Sequence, residues 1–526
     1  MQQFTGFKYA GKALVIALAF SSIAAMAAGT QSPSSTLSSD TENSSKEQGR
    51  ERSVLRLDSP TVTPLMVAAD NTAVPAGADP GQNTRGLPSV GEQPAPGAMP
   101  GLMPARRNGP LSGIGNALDD RGINLGLVMA NVALANPSTG TSKGNWADYF
   151  ALLMSADVDL EKLIGIPNTQ FHILQAWEPP SHNTSSYVAQ TGSAFTLVPV
   201  QTVNSDLAKF TLSHELFDKR LHLEYGRMNI NDDFMVPTMC SGCVASTPAI
   251  SVDVPGFTKS VWGARLAYKL SPQTRLGFAV IEANSALFTK SSGWNWSTRT
   301  RTGFIGVANM LYTSDFSNSP YPLNAEVGVY HNTTPYTDDL SNVDGSSQAL
   351  NPMGTARTHG SGTSGFYGQA RKVVWTAKDS PGPARPNVAL YGGAFVTPGS
   401  GQSYPLEAFG GVEYGGFLEN SPMTLIGSTI RYIRLSGGRA LYEQQLSTVT
   451  GWGSDSVPRN TFAFDVHAQY GMVPGVLVNA FVQYFLHPNR ARIFPAVGPS
   501  RSGFAVGVGV IIDLGLLSGL SKSSKP

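Results

Sequence analysis

Arg227, Arg265, Glu282, Glu326, Tyr367, Gln369, Arg371, Glu413, Arg431, Asp465 and Gln483 are spread over a region in which polar and apolar residues alternate. Their chemistry is hydrogen bonding. Arginine offers several N–H donors in a planar fork and keeps its charge, while carboxylates and amide oxygens accept. Tyr367, with Tyr330, adds a flat ring on which a solute can stack. Set around a confined path, such groups replace the water around a hydroxyl-rich solute, and opposed charges disfavour ions of either sign. The alternative for each is that it only hydrates or braces a water-filled wall.

Other chemistry finds little support. Asp157, Asp159 and Glu161 stand at alternate positions, but calcium needs six to eight oxygens and a DxDxDG-type loop, which is absent. A structural role is expected for them. The eight histidines are dispersed, and no H-E-x-x-H, G-x-S-x-G or P-loop pattern occurs. Cys240 and Cys243, the two cysteines, lie in a Pro-, Ser- and Thr-rich stretch without the strand–helix context of a redox CxxC. They are expected to form a structural disulfide in an oxidising compartment. No catalytic residue, metal site or cofactor is expected.

Strands must position the polar set. In Val261–Leu270, Trp262, Ala264, Leu266, Tyr268 and Leu270 share one parity, and Arg265 and Lys269 take the other. Successive strand side chains point to opposite faces, so this segment has one greasy and one charged face. Sixteen such segments are expected, near 123–135, 149–160, 170–178, 207–216, 220–229, 261–270, 275–284, 303–313, 322–332, 365–375, 387–397, 406–417, 423–435, 461–470, 476–486 and 503–515. Connections after even-numbered strands are mostly tight, as at Phe217-Asp218-Lys219. Those after odd-numbered strands are mostly long, as at 179–206, 230–260, 333–364 and 436–460. Long strands with alternately short and long connections are the mark of a transmembrane barrel. The expected fold is therefore all-β: a sixteen-stranded antiparallel transmembrane β-barrel of the outer-membrane porin type, with a disordered N-terminal leader. The polar set from Arg227 to Gln483 is assigned to its lumen.

Composition agrees. The chain has 526 residues, 56 of them Gly, with 14% charged residues and a net charge of +1, so no global charge argues for a nucleic acid partner. Its mean hydropathy of −0.08 looks soluble. A barrel gives that value because outward and inward residues average along each strand. Lys8, Lys12, an apolar stretch from Ala13 and an A-x-A site at Ala25–Ala27 read as a signal peptide over 1–27. Residues 28–108 are Ser-, Pro- and Gly-rich, cannot bury enough apolar surface to order, and are expected to be a periplasmic leader in reach of peptidoglycan. A short helix is expected over 110–122, with Leu111, Ile114 and Leu118 on one face and Gly122 as its stop. The barrel domain is placed at 109–517 and a tail at 518–526.

Several pieces, taken in order, resemble the carbohydrate-selective outer-membrane porins of the OprB family. They are Asp119-Asp-Arg-Gly-Ile-Asn124; Asp157-Val-Asp-Leu-Glu-Lys-Leu163 with Thr169-Gln-Phe-His172; Gly365-Phe-Tyr-Gly-Gln369; Gly411-Val-Glu-Tyr-Gly-Gly416; and Pro474 with Gln483-Tyr484 and Pro488-Asn489. The chain departs from the family's pattern at Asn420-Ser421-Pro422-Met423, at Gly507 or Gly509 where an Arg is expected, and at its non-aromatic C-terminus. The resemblance implies passive diffusion of small solutes, sugars first, through a barrel in the bacterial outer membrane, in contact with lipid and lipopolysaccharide. The alternatives left open are a general porin, one selective for ions, organic acids or aromatic compounds, and a barrel enzyme. The oligomeric state is left open too.

Overall fold

The computed structural model describes residues 109–179, 205–230, 234, 259–284, 293–316, 318–377, 385–399, 403–419, 421, 423–451, 453, 457–488 and 500–521. The expected signal peptide, the leader over 28–108, and Cys240 and Cys243 lie outside the described residues.

The strands are β1 (Ile123–Asn136), β2 (Asn145–Asp159), β3 (Thr169–Trp177), β4 (Asp206–Leu216), β5 (Leu221–Met228), β6 (Val261–Lys269), β7 (Thr274–Ala283), β8 (Gly303–Thr313), β9 (Leu323–Asn332), β10 (Tyr336–Asn342), β11 (Ala356–His359), β12 (Thr363–Thr376), β13 (Asn387–Val396), β14 (Leu406–Gly415), β15 (Leu425–Arg434), β16 (Asn460–Val473), β17 (Val476–Leu486) and β18 (Gly503–Asp513). All but β10 and β11 form one closed barrel in which each strand pairs with its neighbour, and β1 pairs β18 antiparallel to seal it. In a bilayer every backbone polar group must be paired within the protein, and a closed sheet leaves no edge. The wall is therefore the sixteen-stranded antiparallel barrel that the alternation predicts.

The two faces separate as strand geometry requires. On β6, Leu266 is 39% exposed, whereas the Arg265 side chain is 14% exposed and paired to the neighbouring strand. On β12, Phe366 and Val374 are exposed while Tyr367, Gln369 and Arg371 are buried. Apolar side chains of β7, β9, β13 and β15, including Phe278, Val280, Val327, Val329, Leu390 and Ile430, are exposed on the outer face.

The segments before the first and after the last barrel strand meet at the short-turn end. Helix α1 (Ser112–Asp120) precedes β1, and Gly122 takes the left-handed conformation just after it. Helix α4 (Leu514–Ser518) follows β18, capped by the Asp513 carboxylate, and Leu111 N donates to Ser518 O at 2.8 Å. A further short helix, α2 (Leu160–Ile164), joins β2 to β3. Asp159 accepts from Glu161 N and Lys162 N to cap it, and Gly165 closes it with a φ of 76°. Asp159 and Glu161 are thus fixed as helix-terminal groups, and Asp157 pairs with His172 at 2.6 Å.

The long connections carry structure that strand alternation does not reveal. The β9–β12 connection holds the hairpin β10–β11, and the β15–β16 connection holds helix α3 (Gly437–Val449), capped by Ser436. Ser347, between the hairpin strands, bonds Gln445 of α3, and Asp339 accepts from Ser403 at 2.7 Å. Within the hairpin, His359 stacks on Tyr336 and bonds Asp338 at 3.0 Å. Partial burial pushes the Asp338 carboxyl up, but His359 and the N–H groups of Leu340 and Ser341 outweigh it and hold it below its ordinary range.

The face assignment is testable at two adjacent residues. Leu266→Arg puts a charge on the outer wall and should destabilise the inserted barrel by roughly 2–4 kcal/mol if the site lies near the bilayer midplane. Arg265→Ala should leave assembly intact. Urea unfolding from lipid vesicles, read by gel mobility of unboiled samples, checks both. The reverse result would invert the wall.

Candidate functional site: the enclosed wall

Strand pairing sorts the inward side chains into rows. One row runs Glu326–Gln369–Gly393–Phe409–Arg431–Ala463–Phe485 through β9 and β12–β17. Two residues along each strand, a second runs Arg371–Tyr391–Gly411–Thr429–Asp465–Gln483–Ala505. A third carries Ala389, Glu413, Gly427, His467, Phe481 and Gly507. Glu326, Gln369, Arg371, Glu413, Arg431, Asp465 and Gln483 therefore share one enclosed surface, and Tyr367 lies one row from Gln369.

Arginines on this surface are paired with carboxylates. Arg431 bonds Glu407 at 2.6 Å, and Arg371 bonds Glu413 at 3.2 Å. His467 stands between Asp465, at 2.6 Å, and Glu413, at 3.7 Å. Glu326 accepts from Tyr367 Oη at 2.7 Å, Gln369 Nε2 at 2.8 Å and Asn309 Nδ2 at 2.8 Å. On the β4–β6 side, Glu224 is gripped by Arg265, whose Nε donates at 2.6 Å, with Lys209 at 3.9 Å and His222 at 3.6 Å.

Aromatic rings lie flat along the same wall because glycine on the next strand leaves room. A Cβ at Gly365 would overlap the Tyr330 ring, and one at Gly328 the Tyr367 ring; Gly411 seats Tyr391 and Gly507 seats Phe481 in the same way. Tyr367, Phe395 and Phe409 stack in series, with centroids 5.7 and 6.1 Å apart. From the β5–β6 connection, Phe234 turns inward onto Gly277.

Arg227 and Glu282 are not in the lumen. Arg227 shares the parity of Tyr225 and pairs in register with Trp262; Glu282 shares the parity of Phe278 and Val280 and pairs with Phe304. Both are on the outer face, yet they are only 0% and 2% exposed. The segment Gly293–Thr302 explains this, because it lies as a strap along the outside of the wall from β8 back to β3. Trp294 Nε1 donates to Gln175 on β3 at 3.0 Å. Trp296 packs on Phe210 of β4 and Trp262 of β6 at 5.4 and 5.6 Å, and its carbonyl accepts from Trp262 Nε1. Glu282 holds Asn284 at 2.8 Å, which holds Thr300 at 3.0 Å. Arg227 lies over the Trp262 ring at 5.7 Å and donates to Ser260 O at 2.6 Å. Glu282 thus ties the strap to the wall through Asn284, while Arg227 lies against the Trp262 ring on which Trp296 packs. The signal was available in the alternation of Leu221, Leu223 and Tyr225, which places Arg227 with apolar neighbours. Enclosed groups that the sequence reading missed are Glu224, Glu407, His467, Tyr391 and Thr429. Glu224 and His222 were legible on the opposite parity of that segment.

A family model described as carbohydrate-selective porin, OprB family, matches residues 148–510. No curated protein sequence matches. Among solved structures, the chain is similar to one titled "High pH structure of Pseudomonas putida OprB", with 16% identity and a TM-score of 0.65, covering 76% of this chain and 96% of that one. A low-pH structure of the same protein aligns at 13% identity and a TM-score of 0.46, covering 78% and 99%. The closed barrel and its enclosed polar wall are those of a passive outer-membrane channel, and the chain belongs to the OprB family of carbohydrate-selective porins.

Proposed function

We propose that the barrel passes small uncharged, hydroxyl-rich solutes, sugars first among them, and that Arg265 and Arg371 are groups a solute meets, with the buried Glu413, Arg431, Asp465 and Gln483 behind them setting the charge and polarity of the wall. The observation that carries this reading is charge pairing. On the enclosed wall Arg265–Glu224, Arg371–Glu413 and Arg431–Glu407 each join a cation to an acid on a neighbouring or nearby strand, which leaves little net field to draw in either ion sign. Donors and acceptors remain dense along this wall. Tyr367 supplies a flat neighbour to this surface, and Glu326 and Gln369 fix that ring in place. No energy source or cofactor enters the reading. Export through a signal peptide at 1–27 belongs to the same proposal.

Replacing Arg371 by Ala removes the partner of Glu413 and leaves excess negative charge beside the path. Cation over anion permeability should rise in planar bilayers, and sugar flux in liposome swelling should fall. Unchanged reversal potential and flux for both Arg371→Ala and Arg265→Ala would sink the assignment.

The glycine seats give a second test. Gly507→Leu displaces Phe481 from the wall, and Gly328→Leu displaces Tyr367. Each ring has to swing inward, so single-channel conductance should drop while the folded band on unboiled gels persists. Full conductance in both variants would show that the rings do not border the path.

A further inference from the structure

We propose that the outer strap Gly293–Thr302 is a docking site for a phosphorylated glycolipid of the outer leaflet, its phosphate held by Arg299 and Arg301 and its apolar part lying against Trp294, Trp296 and Phe304. The proposal rests on the channel being seated in an outer membrane with its long connections outward.

The argument starts from charge. Gly293–Thr302 contains two arginines and no acid. Two acids that adjoin the strap are already engaged: Asp206 accepts from Gly293 N and Leu207 N, and Glu282 is buried on Asn284. Both arginines are exposed, so the face the strap presents outward is cationic. Arg301 lies 4.6 Å over the Phe304 ring. A guanidinium stacked on a ring keeps its edge donors, and that edge fits a phosphate with two parallel hydrogen bonds.

Apolar area adjoins it. Trp294 is 50% and Trp296 44% exposed, although Trp294 Nε1 is already bonded to Gln175 and the Trp296 ring is held by Phe210 and Trp262. These rings are fixed, outward and amphipathic, the arrangement found at the level of lipid headgroups. The strap lies where strands give way to long connections, which is the headgroup level of the outer leaflet in such a barrel. A cationic edge beside fixed indoles, on the outside of the wall, complements an anionic amphiphile. It does not complement a solute in the lumen, because the wall stands between.

The test uses the full chain purified in detergent, with bis-phosphorylated lipid A as the probe. Wild type should gain resistance to heat unfolding, read by gel mobility, in proportion to added lipid A. Arg299→Gln with Arg301→Gln should weaken the apparent affinity roughly tenfold, as expected for the loss of two charge-assisted contacts. Arg299→Lys with Arg301→Lys should restore part of it. Raising salt should weaken the wild-type effect, which keeps the idea testable if the Gln variant fails to assemble. Equal affinity in wild type and the Gln variant would overturn the proposal. So would an equal effect from dephosphorylated lipid A, or from inorganic phosphate alone, which would mark a general apolar or ion site. Bilayer conductance is measured in parallel. A wild type that binds lipid A but does not conduct would overturn the channel reading and leave the lipid site standing.

Discussion

Closure of the hydrogen-bonded wall is the constraint on which the other features depend. Because β1 pairs β18, no strand edge is left for water to satisfy, and every side chain on the sixteen strands is committed to the inside or the outside. A slip of one residue would invert a whole strand. Commitment to the inside raises a second demand, since large rings pointing inward from neighbouring strands would fill the path. Glycines on adjacent strands answer it by letting Tyr330, Tyr367, Tyr391 and Phe481 lie along the wall. Gly507 is one of these seats, and the Phe481 ring fills the room beside it.

The interior charges are organised by the same rows. Arg371, Glu413, His467 and Asp465 are brought together from β12, β14 and β16, although in sequence they are far apart. An uncompensated charge in a confined path would act as a filter for its counter-ion. Pairing removes that filter while keeping the hydrogen-bonding atoms, so local neutrality and high donor density coexist. That combination favours solutes whose polarity lies in hydroxyls rather than in net charge.

Strand number, strand positions and the sense of the two faces were legible, because lipid outside and polar groups inside force a period of two that tight turns interrupt. What sequence could not show is which inward residues meet. Glu407 with Arg431, and His467 between two acids, depend on the stagger of three strands, and no local pattern encodes that stagger. The hairpin β10–β11 and helix α3 were hidden in connections long enough to read only as loops, since Ser436 as a helix cap and a four-residue strand are weak signals alone. The sequence reading gives Arg227 and Glu282 lumen parity. The parity of their own strands placed them outside.

Their position makes physical sense once depth is considered. An arginine on the outer face costs roughly 2–4 kcal/mol at the bilayer midplane and about 0–1 near the interface. Arg227 sits one residue from the end of β5, and Glu282 one residue from the end of β7, where that cost is least. Neither meets solvent or lipid, because Trp262, Ser260 and the strap enclose them. Enclosure replaces the lost hydration with fixed partners: a ring face and a carbonyl for Arg227, and a chain of hydrogen bonds through Asn284 to Thr300 for Glu282. One charge that would be a liability on a bare wall, Glu282, thus ties a loop to it. The strap then holds its own arginines and tryptophans outward, at a rim whose inner surface carries separate chemistry, so the two faces of one sheet can be tuned independently.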